Sequence, residues 1–387
     1  MVIVTVGGVL IDWQALRTKV HRSLPPALVA LEEHEHAIVF AGDTMTWDRT
    51  AQLLHKYGAH YPFEATALLL QQADLTVLNL EGPIAERAAR SKEQWSYRVP
   101  PWTLAGLRRA GVDQVSLANN HLYDCGEAGV NETLRHLGAY GIGAFGLQQS
   151  DERSLEPRVV TVGSAQVALL GFVAAETLYP EAEDAPASGE DPGRLRQLRD
   201  RLGPTQSRLG AAIATVQSVR RAVEHAASVS DLVVLFIHFG VRYHRPPTAF
   251  QRRAAEAAID AGASLVVGHH AHFWQPVGVH RGRPIVFSTG NFAFGSGNRR
   301  ADEGLIVRAV LTGKRLDRVE LFPLFIKNRD PTVRYQPKVM RGASARDLLT
   351  RLAAASAQLG AQMELEEVAP GAVRGVVRLA SDTSDQL

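Results

Sequence analysis

Imidazoles, carboxylates and amides gather at a few points of this chain, and their types are those that hold divalent metal ions and move protons. The sharpest local signal is the run from Ser116 to Gly126, Ser-Leu-Ala-Asn-Asn-His-Leu-Tyr-Asp-Cys-Gly. Asn120 offers an amide oxygen to a metal, while His121 projects toward a substrate as general acid or base. Asp124, three residues on, is placed to accept the far N–H of that imidazole and so fix its tautomer and orientation. An Asn-rich turn capping a helix from about Ala128 would explain one asparagine, but not Asn-Asn-His followed by Asp. The second signal is Gly268-His269-His270-Ala271-His272, directly after two valines. An isolated histidine is more often structural than functional. Three within four residues, in an apolar setting, reverse that expectation, and His270 with His272 are the chosen ligand pair.

Three further positions belong with these. His238 ends the apolar run Leu-Val-Val-Leu-Phe-Ile and supplies an imidazole from another strand. Asp43 follows Phe-Ala-Gly, where it could instead cap a helix. Glu81 follows Leu-Asn-Leu, and a carboxylate abutting a buried strand needs a partner, which a metal would supply to both acids. The expected cofactor is therefore a pair of divalent ions, ~3.5–4 Å apart, that activate water and clamp an oxyanion. Mixed nitrogen and oxygen ligands favour Mn, Fe, Zn or Co over Ca or Mg. Metal affinity is expected to fall as the histidines protonate near pH ~6.5.

The elements that must position these residues are short Val/Leu/Ile-rich runs, which suit buried strands. They are Ala37 to Ala41, Leu75 to Leu80, Gln114 to Ala118, Val167 to Val173, Leu232 to Ile237, Leu265 to Val267 and Pro284 to Phe287. Helical spacing marks Pro101 to Ala110, Ala128 to Leu137 and Phe250 to Ala261. Such alternation argues for an α/β fold with a sheet covered on both faces. The polar residues stand just after the strands, where open α/β sheets assemble their sites. Residues 181–206 read as a surface insertion, partly helical from Arg194 to Leu202. An apolar N-terminus, Met1 to Leu10, reads as a buried first strand. The chain divides into an N-terminal strand-and-helix extension (1–35), a main domain (36–325) and a C-terminal extension (326–387). The last holds a helix (Ala345 to Leu359), an acidic stretch (Glu364 to Glu367) and a final strand.

Composition excludes several classes. Among 387 residues, 45% are hydrophobic and 21% charged, which is globular rather than disordered. Lys and Arg (42) nearly balance Asp and Glu (40), so no global field points to nucleic acid or an anionic membrane. The single cysteine, Cys125, rules out an intrachain disulfide and thiolate-rich zinc clusters, and reads as a small packing residue. No apolar run reaches the ~18 residues of a membrane span, so a cytoplasmic protein is expected. Nothing here specifies an oligomeric state.

Taken in order, Gly42-Asp43, Asn79-Leu-Glu81, Ala118-Asn-Asn-His-x-x-Asp-x-Gly126, His238-x-Gly240, Ile259-Asp-Ala-Gly-Ala263, Gly268-His-His-x-His272 and Ser288-x-Gly-Asn-Phe292 resemble the CapA family. That family is named for capsule and poly-γ-glutamate synthesis and belongs to the calcineurin-like metallophosphatase superfamily. The resemblance implies a four-layered α/β/β/α sandwich with a dinuclear metal site. It maps Asp43, Glu81, Asn120, His238, His270 and His272 to ligands and His121 to the catalytic histidine, with Asp124 behind it. Two departures stand out: Met45 where such enzymes carry a histidine, and Arg242 where CapA-like chains carry a glutamate. Arg98, Arg242 and Arg245, with Arg299 and Arg300, are candidates to receive an anionic small-molecule or peptide substrate. Asn119, Tyr243, His269 and Asn291 complete the candidate substrate-binding set. The expected activity is hydrolysis of a phosphoester or a γ-glutamyl or peptide-type bond. Cofactor-independent peptide epimerisation and a non-enzymatic role in assembling a polymer-synthesising complex are the alternatives.

Overall fold

A computed structural model of the chain describes residues 4–6, 9–11, 25–93, 95–149, 156–178, 190–295 and 301–379. Along a strand successive side chains point to opposite faces, and the buried residues sort accordingly. In the strand Glu35–Met45, Ile38 and Phe40 join one apolar cluster and Val39 and Ala41 another. In Leu232–His238, Val234 and Phe236 join the cluster of Ile38 and Phe40, while Val233 and Leu235 enter a third. The shared cluster is a seam between two sheets, and the rings of Phe40 and Phe236 lie 6.0 Å apart across it. Helices Leu104–Ala110 and Gly126–Ala139 cover the outer face of the first sheet through Leu104, Leu107, Val130 and Leu137. Helices Val216–Val229 and Ala249–Asp260 cover the second through Val219, Val223, Phe250 and Ala254. The result is an α/β/β/α sandwich of the metallophosphatase-like kind.

In the first sheet, Glu35–Met45, Leu75–Leu80, Gln114–Ser116 and Gly143–Phe145 run parallel and adjacent in that order. In the second, Ile213–Ala214, Ala165–Ala174, Leu232–His238, Leu265–His269 and Arg283–Val286 do the same. After Val286 the chain crosses between sheets, and Asn291–Phe294 pairs parallel with Glu35–Met45. The carboxyl ends of both parallel sets therefore open at one edge of the seam.

Several sequence expectations change. The apolar N-terminus is a small hairpin, Val4–Val6 with Val9–Ile11, rather than a strand of either sheet. Residues 181–189 of the expected insertion lie outside the described residues. Its helix, Pro192–Leu202, buries Leu195, Leu198 and Leu202 beside Ile213–Ala214 and Ala175–Leu178, so this part is packed and not merely solvated. An antiparallel pair that sequence reasoning missed, Glu303–Thr312 and Arg315–Phe325, extends the first sheet. The C-terminal residues continue it: the acidic stretch is a strand, Glu364–Ala369, paired with Ala372–Arg378. Helix Gly342–Ala357 sends Ala345, Leu348, Leu349 and Leu352 into the seam cluster.

One irregularity aims the site. The pairing of Glu35–Met45 with Leu75–Leu80 slips between Ala41 and Asp43, so that Ala41 opposes Leu78 and Asp43 opposes Asn79. Regular alternation from Ile38 and Phe40 would send residue 42 toward the seam. The bulge at Gly42 sends Asp43 there instead, a use typical of bulges beside active sites. Gly42 is also squeezed by the crossing chain: a β-carbon on it would stand 1.9 Å from the Gly290 carbonyl oxygen, which accepts the Asp43 N–H at 3.0 Å. Gly42→Ala is expected to lower unfolding stability by at least ~1–3 kcal/mol through overpacking. Denaturant titration checks this, and wild-type stability would show that the two segments separate without cost.

Candidate active site

At the open edge of the seam three strands present acids and imidazoles to one point. Asp43, Glu81 and His238 each offer a ligand atom, and these atoms all lie within 4.8 Å of one another. Asn79, the residue opposite Asp43, ties them together. Its amide nitrogen donates to Asp43 Oδ1 at 2.8 Å and Glu81 Oε2 at 3.3 Å, and lies 3.3 Å from His238 Nδ1. Beyond it, His238 Nε2 stands 3.0 Å from both Asn120 Oδ1 and His270 Nδ1. His272 completes the ring, with Nδ1 3.6 Å from Asp43 Oδ2 and Nε2 4.0 Å from Glu81 Oε1. All six residues that the sequence marked as ligands thus converge.

His121 flanks this cluster, its Nε2 3.7 Å from Glu81 Oε1. Its Nδ1 lies 2.8 Å from Asp124 Oδ2, the pairing that the three-residue spacing predicts. Asp124 does not cap the following helix, whose first-turn amides receive no side-chain cap. Instead it also accepts the Tyr97 N–H at 2.6 Å, and the Tyr97 ring packs 4.5 Å from the His121 ring. The imidazole is therefore held from its far nitrogen and along its ring. Its near nitrogen faces a pocket of about 200 Å³ that Asn120, Arg242, Tyr243 and His272 also line.

The electrostatics fit a cation. Asp43 and Glu81 are wholly buried. Burial raises the Glu81 pKa far above the usual carboxylate range, and the neighbouring Asp43 charge adds to it. Burial pushes Asp43 up as well, but its hydrogen bond to His269 and the other imidazoles outweigh this and hold it low. Burial is also the main cause that lowers His238, His270 and His272. These histidines stay neutral, the form that ligates, below the pH ~6.5 expected from sequence. Glu81 Oε1 and His270 Nε2 are buried with no hydrogen-bond partner among the described residues. Unpaired polar atoms of this kind are costly, and a metal ion is the partner that this donor set suits.

The backbone is strained at the same place. His270, His272, Tyr243 and Asp48 all have positive φ, at 88°, 61°, 61° and 59°, a conformation costing non-glycine residues roughly 1–3 kcal/mol each. Four such residues around one pocket indicate that geometry there is held at the expense of stability.

The remaining sequence candidates divide. Arg242 and Tyr243 line the pocket. His269 does not: it lies beneath, its Nδ1 3.2 Å from Asp43 Oδ1 and its ring 4.2 Å from that of Phe236. Asn291 accepts from His272 Nδ1 at 2.8 Å, so it orients a ligand. Asn119 donates to Asn79 Oδ1 and the Leu80 carbonyl and accepts the His121 N–H, which leaves it inside the frame. Arg98 is exposed on an adjoining groove. The Arg245 guanidinium lies over the Phe273 and Trp274 rings, away from the pocket. Arg299 and Arg300 lie outside the described residues. Met45 is buried among apolar side chains and brings no ligand. Sequence reasoning missed Asn79 and Tyr97. Asn79 was legible as the polar residue in an otherwise apolar strand.

The sequence profile of the family described as bacterial capsule synthesis protein PGA_cap matches residues 37–296. The chain is 26% identical over 319 residues to the capsule biosynthesis protein CapA of Bacillus anthracis, a match covering 81% of this chain and 73% of that protein. It is 25% identical to the PGA biosynthesis protein CapA of Bacillus subtilis, over 76% of this chain and 72% of that one. A probable polyglutamine synthesis accessory protein of Mycobacterium tuberculosis is 28% identical, with 59% of this chain and 58% of that protein covered.

Another buried acid, Glu176, stands behind the pocket wall and was also missed. Its Oε2 accepts the N–H of Gly240 at 2.9 Å, in the turn of positive φ that leads from His238 to Arg242. Its Oε1 has no hydrogen-bond partner among the described residues, and burial pushes its pKa up to about 7. Between pH ~4.5 and ~7 the folded state then holds a proton that the unfolded chain has released, so stability falls as pH rises through that window. Glu176→Gln keeps an acceptor for Gly240 and removes the titration. The variant is expected to be more stable than wild type at pH 8 by roughly 1–3 kcal/mol, with the difference shrinking toward pH 4.5. Parallel melting profiles for the two proteins would refute this.

Proposed function

The chain belongs to the PGA_cap family of bacterial capsule synthesis proteins, and from that premise we propose that it is a metal-dependent hydrolase acting in capsule or polyglutamate synthesis. Its substrate carries a γ-glutamyl or related peptide-type bond, or a phosphoester. Two divalent ions, of Mn, Fe, Zn or Co, are held by Asp43, Glu81, Asn120, His238, His270 and His272. When bound, they supply an activated water and Lewis-acid stabilisation of the developing oxyanion. Met45, in place of a histidine, leaves one of the two sites with fewer protein ligands.

The observation that carries this reading is the His121–Asp124 pair beside the acid cluster. Asp124 accepts from His121 Nδ1 at 2.8 Å, stabilises the imidazolium and leaves Nε2 facing the pocket. Nε2 then delivers its proton to the leaving amine or alkoxide as the bond breaks. Asn119 and Tyr97 fix the imidazole, one through its backbone N–H and the other against its ring. Arg242, at the pocket wall, receives an anionic group of the substrate.

Arg242 also supports a second reading, in which it holds a peptide carboxylate while His121 removes the adjacent Cα proton. Turnover in D2O separates the two, since epimerisation incorporates deuterium at Cα without releasing new chain ends. The hydrolytic reading predicts release of new ends from poly-γ-glutamate, or of product from phosphoesters, by metal-loaded protein. His121→Ala should reduce that rate by at least ~10²-fold while elemental analysis shows unchanged metal content. His270→Ala should lower metal content itself. Wild-type turnover in His121→Ala would eliminate the proposal.

A further inference from the structure

The pocket beside His121 does not end at its wall. Asp48, Arg49, Trp95 and Tyr97 line it and also line an adjoining groove of about 550 Å³, to which Trp47, Arg90 and Arg98 contribute. The two spaces form one cleft with Tyr97 at its waist. Tyr97 is the residue that packs on His121 and donates to Asp124, so the groove begins at the catalytic histidine.

The lining of the groove is unbalanced in charge. Arg49, Arg90 and Arg98 face a single carboxylate, Asp48. Among the described residues none of the three arginines forms an ion pair. Arg90 and Arg98 are each steadied by one bond to a backbone carbonyl, of Ser96 at 3.2 Å and Ala88 at 3.3 Å. A guanidinium has five N–H donors, so each keeps most of its capacity. Three like charges gathered on one concave surface repel one another, and an anion relieves that repulsion. Beside them Trp95, 60% exposed, offers indole surface to the groove. Guanidinia beside an open indole suit a chain that alternates carboxylates with methylene segments: the arginines take the carboxylates and the indole covers the hydrocarbon between them.

We propose that this groove is a subsite for the continuing chain of a polycarboxylate substrate, and that Arg90, Arg98 and Trp95 bind residues beyond the one that reaches His121. The proposal rests on the substrate class given above for the main pocket, and it adds that the protein acts on chains rather than on single units. An isolated phosphoester would use the inner pocket and gain nothing from the groove.

Calorimetric titration of the full, metal-loaded chain with γ-linked glutamate oligomers of one, four and eight residues tests it. Affinity is expected to rise at least ~10-fold from one residue to four. Arg90→Ala/Arg98→Ala should abolish this gain with length, as should Arg90→Glu/Arg98→Glu, while melting temperatures stay at the wild-type value because both side chains are exposed. Trp95→Ala should reduce the gain severalfold. Raising salt should weaken the longer oligomers more than the shortest in wild type and equally in the double alanine variant. Equal affinity at all lengths, or a gain that survives loss of both arginines, overturns the subsite. Release of chain ends is measured separately: binding that grows with length but yields no new ends refutes the hydrolytic reading and leaves the groove intact.

Discussion

Two carboxylates and several imidazoles share the end of an apolar seam, where Asp43, Glu81, His269 and His270 have no measurable exposure. Withdrawing an ionised carboxylate from water costs several kcal/mol unless an opposite charge meets it, and two acids side by side cost more. Histidine alone is a poor answer, because burial drives His238 and His270 toward the neutral form. Asn79 bridges the acids but brings no charge. A divalent cation answers both problems at once, since it neutralises the acids and takes the imidazole lone pairs. Much of the local architecture then reads as support for that arrangement: the bulge at Gly42 aims Asp43, Asn291 turns His272, and His269 holds Asp43 from below.

The site was legible because chemistry-bearing residues stand immediately after apolar strands, and parallel strands carry such residues to a common edge. His238, Glu81 and the Gly268–His272 run could be read that way without knowing the strand order. Residues whose work is to hold others were harder to see. Asn119 reads as a substrate-binding residue beside Asn120, yet its amide is spent on Asn79 and Leu80. His269 sits in the same run as His270, yet strand alternation turns it into the seam with Val267 and Leu265. Tyr97 lies in a loop with no periodicity, so nothing local announces that it packs on His121. Glu176 follows a strand as the ligands do, but its partner is a backbone N–H in a distant turn, which composition does not mark.

The fold was legible in its parallel half and less so elsewhere, for a physical reason. Parallel strands buried on both faces appear as unbroken apolar runs. The strands at the far edge of the first sheet carry charge instead. Arg308 and Glu320 are buried and paired with each other, Arg318 bonds Glu35 and Glu320, and Arg374 bonds Glu320 and Glu366. A sheet face built on ion pairs shows no hydrophobic alternation, so Glu364–Ala369 resembled an acidic tail. Neutralisation across strands joins burial of Ile306, Phe322 and Leu324 in holding that face.

Met45 and Arg242 bear on the same quantity, the net charge at the pocket. On the proposed reading, a methionine in place of a ligand histidine weakens the hold on one cation. Arg242 in place of a glutamate then sets a positive charge close enough to influence Glu81, His270 and His272. The arginine and a weakly held second ion repel each other, so each is disfavoured while the other is present alone. An anionic group of the substrate placed between them reverses the sign of that interaction, attracting both. On that reading substrate and second ion would favour each other's binding, since linkage of this kind is reciprocal.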